Sequence, residues 1–253
     1  MRIAIISGHD LDIFKGSEEI LVETPYGNVR LSRKIMEDKE IFFLNRHNSM
    51  GPPLPPHKID YRANIEALSK CKVDTVISIG TVGSINEEMK PGTIVIPHDF
   101  IDFTKCRTYT FFNEKRVHID MSEPFCTYLR KVLSESCKSL KLEHKDRAVY
   151  LATEGPRLET PAEIRLFLKF ADVVGMTLVP EVVLAREKRM CYASICIVCN
   201  MAAGLQERLT AREIVRLVSQ KKRHIENLIV EAIKRISEVR DCDCRYALEE
   251  AEI

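Results

Sequence analysis

Tryptophan is missing from this 253-residue chain and glutamine occurs twice, while charged residues make up 30% of it. A composition poor in thermolabile amides and rich in ion-pairing side chains resembles that of thermophile proteins. An excess of one charge is missing as well, since 38 basic and 37 acidic residues leave a formal net charge of +1. Without a basic excess there is no electrostatic footprint for nucleic acid or for a membrane surface, so the expected partner is a small molecule. No run approaches the roughly 20 apolar residues of a membrane span. The N-terminal "MRIAII" stops at Ser7-Gly8-His9-Asp10, too soon for the apolar region of a secretory signal, and a cytoplasmic protein is expected. Also absent are a G-x-G-x-x-G after a strand, a Walker A loop, an H-E-x-x-H and a G-x-S-x-G elbow, which removes most support for dehydrogenase, nucleotide hydrolase, zinc protease and α/β-hydrolase chemistry.

What is present is 45% apolar residues, ample for a buried core, distributed in short β-rich runs that alternate with helix-like stretches. "RIAII", "EIFFLN", "DTVISIG", "GTIVIP", "RAVYLAT", "DVVGM" and "YASICIV" read as buried strands bounded by Gly, Pro or Asn. Residues 61–71, 123–140, 161–170, 180–190 and 211–239 read as helices. Thr160-Pro161-Ala162-Glu163 and Thr210-Ala211-Arg212-Glu213 carry capping boxes at two of their starts. The alternation predicts a single-domain, three-layer α/β sandwich over residues 1–253, with a mixed central sheet, a long C-terminal helix and a polar tail at 238–253. The proline cluster from Gly51 to Pro56 reads as a stiff surface loop rather than a partner ligand.

Nine cysteines invite a metal or disulfide reading. Cys196 and Cys199 form a C-x-x-C, but within a strand an odd offset sends their side chains to opposite faces, which argues against zinc there. Cys242-Asp243-Cys244 lies in the polar tail, where buried-cysteine packing offers no explanation; two reduced thiols and a structural disulfide both remain open.

Four places set anion-binding groups where strands end, which is where α/β proteins place ligands. They are Ser7-Gly8-His9, Arg46-His47, Gly80-Thr81-Val82-Gly83, and Thr177 ahead of the helix opened by Pro180 and Glu181. Each has a plainer reading, as a surface ion pair, a satisfied imidazole or a turn cap. A fifth signal is the pair Glu159 and Asn200. A 6-oxopurine offers O6 and N7 acceptors and an N1–H donor, so an amide donating to N7 or O6 and a carboxylate accepting from N1–H would read it, while adenine would face the same pair badly. The plainer reading is a turn-forming Asn and a solvent-facing Glu.

With these residues in place, the segments "NRH", "YRANIEAL", "TVGSINEEMKPGTIVIPHDFID", "HIDMSEPFC", "TEGPRLET" and "GMTLVPEVVLARE" resemble those of methylthioadenosine phosphorylases, within the trimeric purine nucleoside phosphorylases; the resemblance runs from about Ile3 to Glu231. It implies a homotrimer or dimer of trimers that exchanges the base of a nucleoside for inorganic phosphate, with no metal and no organic cofactor. Carried over by position, phosphate contacts fall on His9, Arg46, His47, Gly80, Thr81 and Thr177. Met176 falls against the sugar, Ala202 beside the base reader, and His118 near the 5′ side of a neighbouring subunit's site.

Departures from the family pattern sharpen the expectation. Ser7-Gly8-His9-Asp10 replaces a Gly-Gly-Thr-Gly type loop, exchanging a hydroxyl for an imidazole that Asp10 is expected to pair. Methylthioadenosine enzymes carry Ser at Glu159 and Asp at Asn200 and Ala202, whereas 6-oxopurine enzymes use the Glu and Asn found here, so inosine and guanosine are the expected substrates. Ile214 falls where such enzymes place a 5′-hydroxyl histidine, which keeps S-methyl-5′-thioinosine, and behind it S-methyl-5′-thioadenosine, as alternatives. Cleavage of C1′–N9 spreads positive charge on ribose and negative charge on the purine. Bound phosphate, held by Arg46 and His47, would act on one end while Asn200 and Glu159 stabilise the other. A catalytically silent nucleoside-binding protein and a water-using hydrolase are the remaining readings, and neither has use for an anion clamp.

Overall fold

The computed structural model describes residues 1–207 and 210–252, with the side chains of residues 211, 213 and 214 outside the description. The buried run at the N-terminus forms β1 (Arg2–Ser7). A hairpin of β2 (Glu18–Thr24) and β3 (Gly27–Met36) follows, then β4 (Lys39–Asn45) and α1 (Tyr61–Lys70). Next come β5 (Thr75–Ser84), the short β6 (Ile94–Val95), β7 (Asp99–Phe103) and α2 (Thr127–Ser139). The chain continues through β8 (His144–Lys145), β9 (Val149–Thr153), α3 (Pro161–Phe167) and β10 (Val173–Gly175). It ends with α4 (Leu178–Glu187), β11 (Cys191–Met201) and α5 (Ala211–Arg235).

Among the described residues, all eleven strands join one mixed sheet. Its centre is parallel: β1 lies between β4 and β5, and β5 pairs along its whole length with β11. Parallel strands buried on both faces need no alternation, and the ten residues Cys191–Asn200 of β11 are all buried. One face packs against α1 and α4 through Ile65, Leu68, Val182 and Leu184, and the other against α2 and α5 through Leu129, Leu133, Leu228 and Ile229. The expected three-layer α/β architecture follows from these two cores.

Several expectations need correction. Gly80–Gly83 is not a loop after a strand; it continues β5, because β11 supplies a partner ladder out to Met201. "GTIVIP" shrinks to the two-residue β6, as Pro91-Gly92 and Pro97 interrupt the ladder on either side. The capping box at Thr160 is present with both reciprocal bonds, and the second expected box, at Thr210 and Glu213, lies outside the described residues. The tail is not simply polar, since Cys244 and Ala251 are 3% and 6% exposed. No disulfide links Cys242 to Cys244, and all nine cysteines are free. The largest unforeseen element is the β2–β3 hairpin, closed by a Pro25-Tyr26 turn in which the Thr24 hydroxyl donates to Gly27 O at 2.6 Å. Its charged, half-buried alternation carries few of the apolar runs by which the other strands announce themselves.

Candidate active site

A cavity of about 220 Å³ opens at the carboxyl ends of β1, β4, β5 and β11, where the parallel core meets its loops. Ten of the twelve sequence-predicted site residues line it: His9, Arg46, His47, Gly80, Thr81, Glu159, Met176, Thr177, Asn200 and Ala202. His118 does not. It is exposed on a loop elsewhere, its N–H donating to Ala251 O at 2.8 Å. Ile214 falls within α5, and its side chain lies outside the described residues.

Arg46, expected to contact phosphate or to form a surface ion pair, is instead buried in an ion pair within the protein. The side chain is 1% exposed, and its Nε and Nη2 bind Glu181 at 2.7 and 2.9 Å in a bidentate pair. Nη2 also donates to Ser78 Oγ at 2.7 Å, and Nη1 donates to Ile79 O at 3.3 Å. Glu181 is fully buried and accepts further bonds from Ser78 Oγ at 3.0 Å and Tyr192 Oη at 2.7 Å. Burial opposes the guanidinium charge, but the Glu181 carboxylate more than offsets it and raises the Arg46 pKa. Such a pair fixes Arg46 rigidly and leaves only its Nη1 side, near Gly8, for an anion.

The imidazole of His47 is oriented by the proline-rich loop. Its Nδ1 lies 2.7 Å from Leu54 O and donates to that carbonyl, which turns the opposite ring nitrogen, Nε2, toward Gly8. Desolvation by the surrounding protein and then Arg46 lower the His47 pKa, against the opposing bond to Leu54. His9 sits at the mouth, with solvent still reaching it; desolvation, then His47 and Arg46, lower its pKa, and Asp10 opposes them. Asp10 does not pair His9 as expected. Its Oδ1 accepts from Asn45 Nδ2 at 2.7 Å, and its effect on the imidazole is one of charge alone. Thr177 occupies the N-cap of α4 without a side-chain capping bond, so its hydroxyl is left to the cavity.

Asn200 owes its place to an irregularity. The pairing of β11 with β5 shifts between Val198 and Asn200, and the bulge breaks the alternation so that Cys199 and Asn200, adjacent in sequence, both line the cavity. One N–H of its amide donates to Met201 O at 2.9 Å, and the second is left over. Gly83 makes room for that amide, because a Cβ there would lie 3.0 Å from Asn200 Nδ2. Glu159 is anchored by the Thr153 hydroxyl, which donates to Oε1 at 2.6 Å, while Oε2 has no hydrogen bond from any described residue.

Sequence reasoning missed three groups. Glu181 reads from the sequence only as a helix opener, because nothing in a sequence shows which carboxylate will find a buried guanidinium. Val218, Lys222 and Ile225 of α5 line the cavity, and their i, i+4, i+7 spacing was a legible signal of one helix face. Lys222 is itself paired to Asp12 at 2.9 Å. Arg107, 3% exposed, donates to the carbonyls of Thr153 and Glu154 at 3.3 and 2.8 Å and of Met176 and Val179 at 2.5 and 2.6 Å, tying together the loops that carry Glu159 and Thr177.

Comparison with known proteins agrees with this arrangement. A family model described as the phosphorylase superfamily matches residues 2–234. A probable 6-oxopurine nucleoside phosphorylase of Dictyoglomus turgidum is 44% identical over 99% of this chain and 97% of its own. A probable S-methyl-5′-thioinosine phosphorylase of Methanopyrus kandleri is 48% identical over 92% and 91%. Among solved structures, a methylthioadenosine phosphorylase from an antarctic soil metagenomic library superimposes with a TM-score of 0.89 at 30% identity, covering 99% of this chain and 92% of that one. Sequence, fold and cavity thus agree that the chain belongs to the phosphorylase superfamily.

Proposed function

We propose that this protein catalyses the phosphorolysis of 6-oxopurine nucleosides, inosine and guanosine, to free base and ribose 1-phosphate. The observation that carries the reading is that Glu159 and Asn200 line one cavity with Thr81, Thr177, His47 and Arg46. The free N–H of Asn200 suits N7 as negative charge gathers on the leaving purine, and Oε2 of Glu159 suits N1–H. On the sugar side phosphate is the nucleophile, positioned by the hydroxyls of Thr81 and Thr177, by His47 and by Nη1 of Arg46, so no protein nucleophile is required. The 44% identity to a probable 6-oxopurine nucleoside phosphorylase supports the same reading.

A second substrate, S-methyl-5′-thioinosine, is favoured by the apolar contribution of α5, whose Val218 and Ile225 line the cavity, and by the Methanopyrus relative. Both substrates share the 6-oxopurine, so the base reading is common to them. His118, exposed and anchored to the C-terminal segment, fits a role in a neighbouring subunit's site within a trimer or dimer of trimers.

The test is base release from inosine, guanosine, S-methyl-5′-thioinosine, adenosine and S-methyl-5′-thioadenosine, with and without phosphate. Release should require phosphate and favour the 6-oxo members about a hundredfold, because two mispaired polar groups cost on the order of 1–3 kcal/mol each. Release that is independent of phosphate overturns the phosphorylase reading. In Glu159→Ser/Asn200→Asp the 6-oxo preference should collapse; if it persists, these residues do not read the base.

A further inference from the structure

Four cysteines from three distant parts of the chain converge at the other end of the sheet. Cys126 is the N-cap of α2, Cys191 opens β11, and Cys242 and Cys244 flank Asp243 in the C-terminal segment. All four Sγ atoms lie within 4.8 Å of one another, with Cys191 Sγ 3.5 Å from Cys242 Sγ. Cys126, Cys191 and Cys244 are at most 4% exposed. From this geometry we propose that the four thiols form a structural tetrathiolate zinc site.

A zinc ion bonded to four sulfurs at about 2.3 Å sets them about 3.8 Å apart along each edge of a tetrahedron, so the observed cluster needs only small adjustments to close on an ion. Disulfides would require two separate pairs at about 2.05 Å, whereas here each sulfur neighbours the other three. The surroundings suit thiolates as well. Binding Zn²⁺ releases four thiol protons to solvent and leaves the cluster with a charge of −2, and two guanidinium groups face it. Arg240 Nη1 lies 3.5 Å from Cys191 Sγ, and Arg186 Nη1 lies 3.8 Å from Cys244 Sγ. Arg240 is also paired to Asp74 at 2.8 Å, which holds it in position. Cys126 Sγ accepts from Leu129 N at 3.4 Å, at a helix N-terminus that favours a thiolate. The local need for a staple is visible: between residues 237 and 250, Cys244 is the one buried residue, so little apolar contact holds this segment to the body.

The site is structural rather than catalytic. Cys191 and Asn200 stand at opposite ends of β11, and nine strand steps separate them by about 30 Å.

The test uses the full-length protein purified under reducing conditions. Elemental analysis should find about one zinc per chain, and cobalt substitution should give the ligand-field absorption of a tetrahedral thiolate centre. In Cys242→Ser/Cys244→Ser the zinc should be lost and the melting temperature should fall by about 10 °C or more. Turnover of inosine below both melting temperatures should stay within about twofold, as expected for a site outside the reaction centre. Two findings overturn the proposal, and both are read on the wild-type chain, so they stand even if the variant fails to fold. One is a reduced protein that neither contains nor takes up zinc or cobalt. The other is an intact mass 4 Da low after purification without reductant, with the same four cysteines oxidised in pairs.

Discussion

The imidazoles of His9 and His47 titrate against their surroundings. Both are lowered from the ordinary value of 6.5, by desolvation first and by the Arg46 charge, so the folded protein holds them neutral where the unfolded chain begins to protonate. A histidine depressed in this way stabilises the fold above about pH 6.5, and that contribution fades as pH falls through the lower folded value. The melting temperature of the phosphate-free protein should therefore drop between about pH 7 and pH 5.5. Saturating phosphate should shrink the drop, because an anion favours imidazolium, and so should His9→Gln; an identical pH profile for His9→Gln and wild type would remove His9 from the account. At this scale the sequence disclosed which residues converge but not how their charges are used. Arg46 and Asp10 were identified by type, while their partners Glu181 and Asn45 depend on distances that only the folded chain defines.

Among the elements, the late halves of β5 and β11 matter most for the chemistry, because their bulged ladder aims Asn200 into the cavity. Gly83→Ala tests that coupling. Its Cβ would crowd Asn200 Nδ2 at 3.0 Å and Val174 Cγ1 at 3.4 Å, and the amide must give way. The expected outcome is a fall in kcat/KM for inosine of about 10- to 100-fold, from a misplaced hydrogen bond worth about 1–3 kcal/mol, with little change in melting temperature. A large loss of stability with unaltered kcat/KM of the folded fraction would place the strain elsewhere. Long buried elements such as α1 and β11 were legible from their apolar residues: α1 ends one residue before the expected 71, while β11 runs three residues past the expected 198 because β5 carries the ladder on through its bulge. Gly80–Gly83 reads locally as a loop because glycine weakens strand propensity, and pairing with β11 overrides that local preference. A bulge leaves no mark in sequence at all, since it is a property of two strands.

For the whole molecule, alternation of strand and helix was enough to foresee a three-layer α/β sandwich, and the ends of its parallel strands were enough to foresee where the site lies. The docking of the C-terminal segment was not foreseeable from a polar composition, because it rests on Cys244 and on backbone pairing of Val117 with Glu252 rather than on an apolar run. The close engagement of Arg46 by Glu181 has a kinetic consequence. Lys222 is likewise matched by Asp12, the imidazoles are neutral near pH 7, and the chain as a whole carries +1, so the empty cavity offers an incoming anion almost no long-range pull. Attraction that steers a ligand from afar weakens steeply as salt shortens the screening length to about 8 Å at 0.15 M. Phosphate should find this site by ordinary diffusion, and kcat/KM for phosphate should change less than about twofold between low and physiological ionic strength. A steep decline would mean that an unmatched cation draws it in; a flat profile would describe a receptor whose selectivity for the anion begins only at contact.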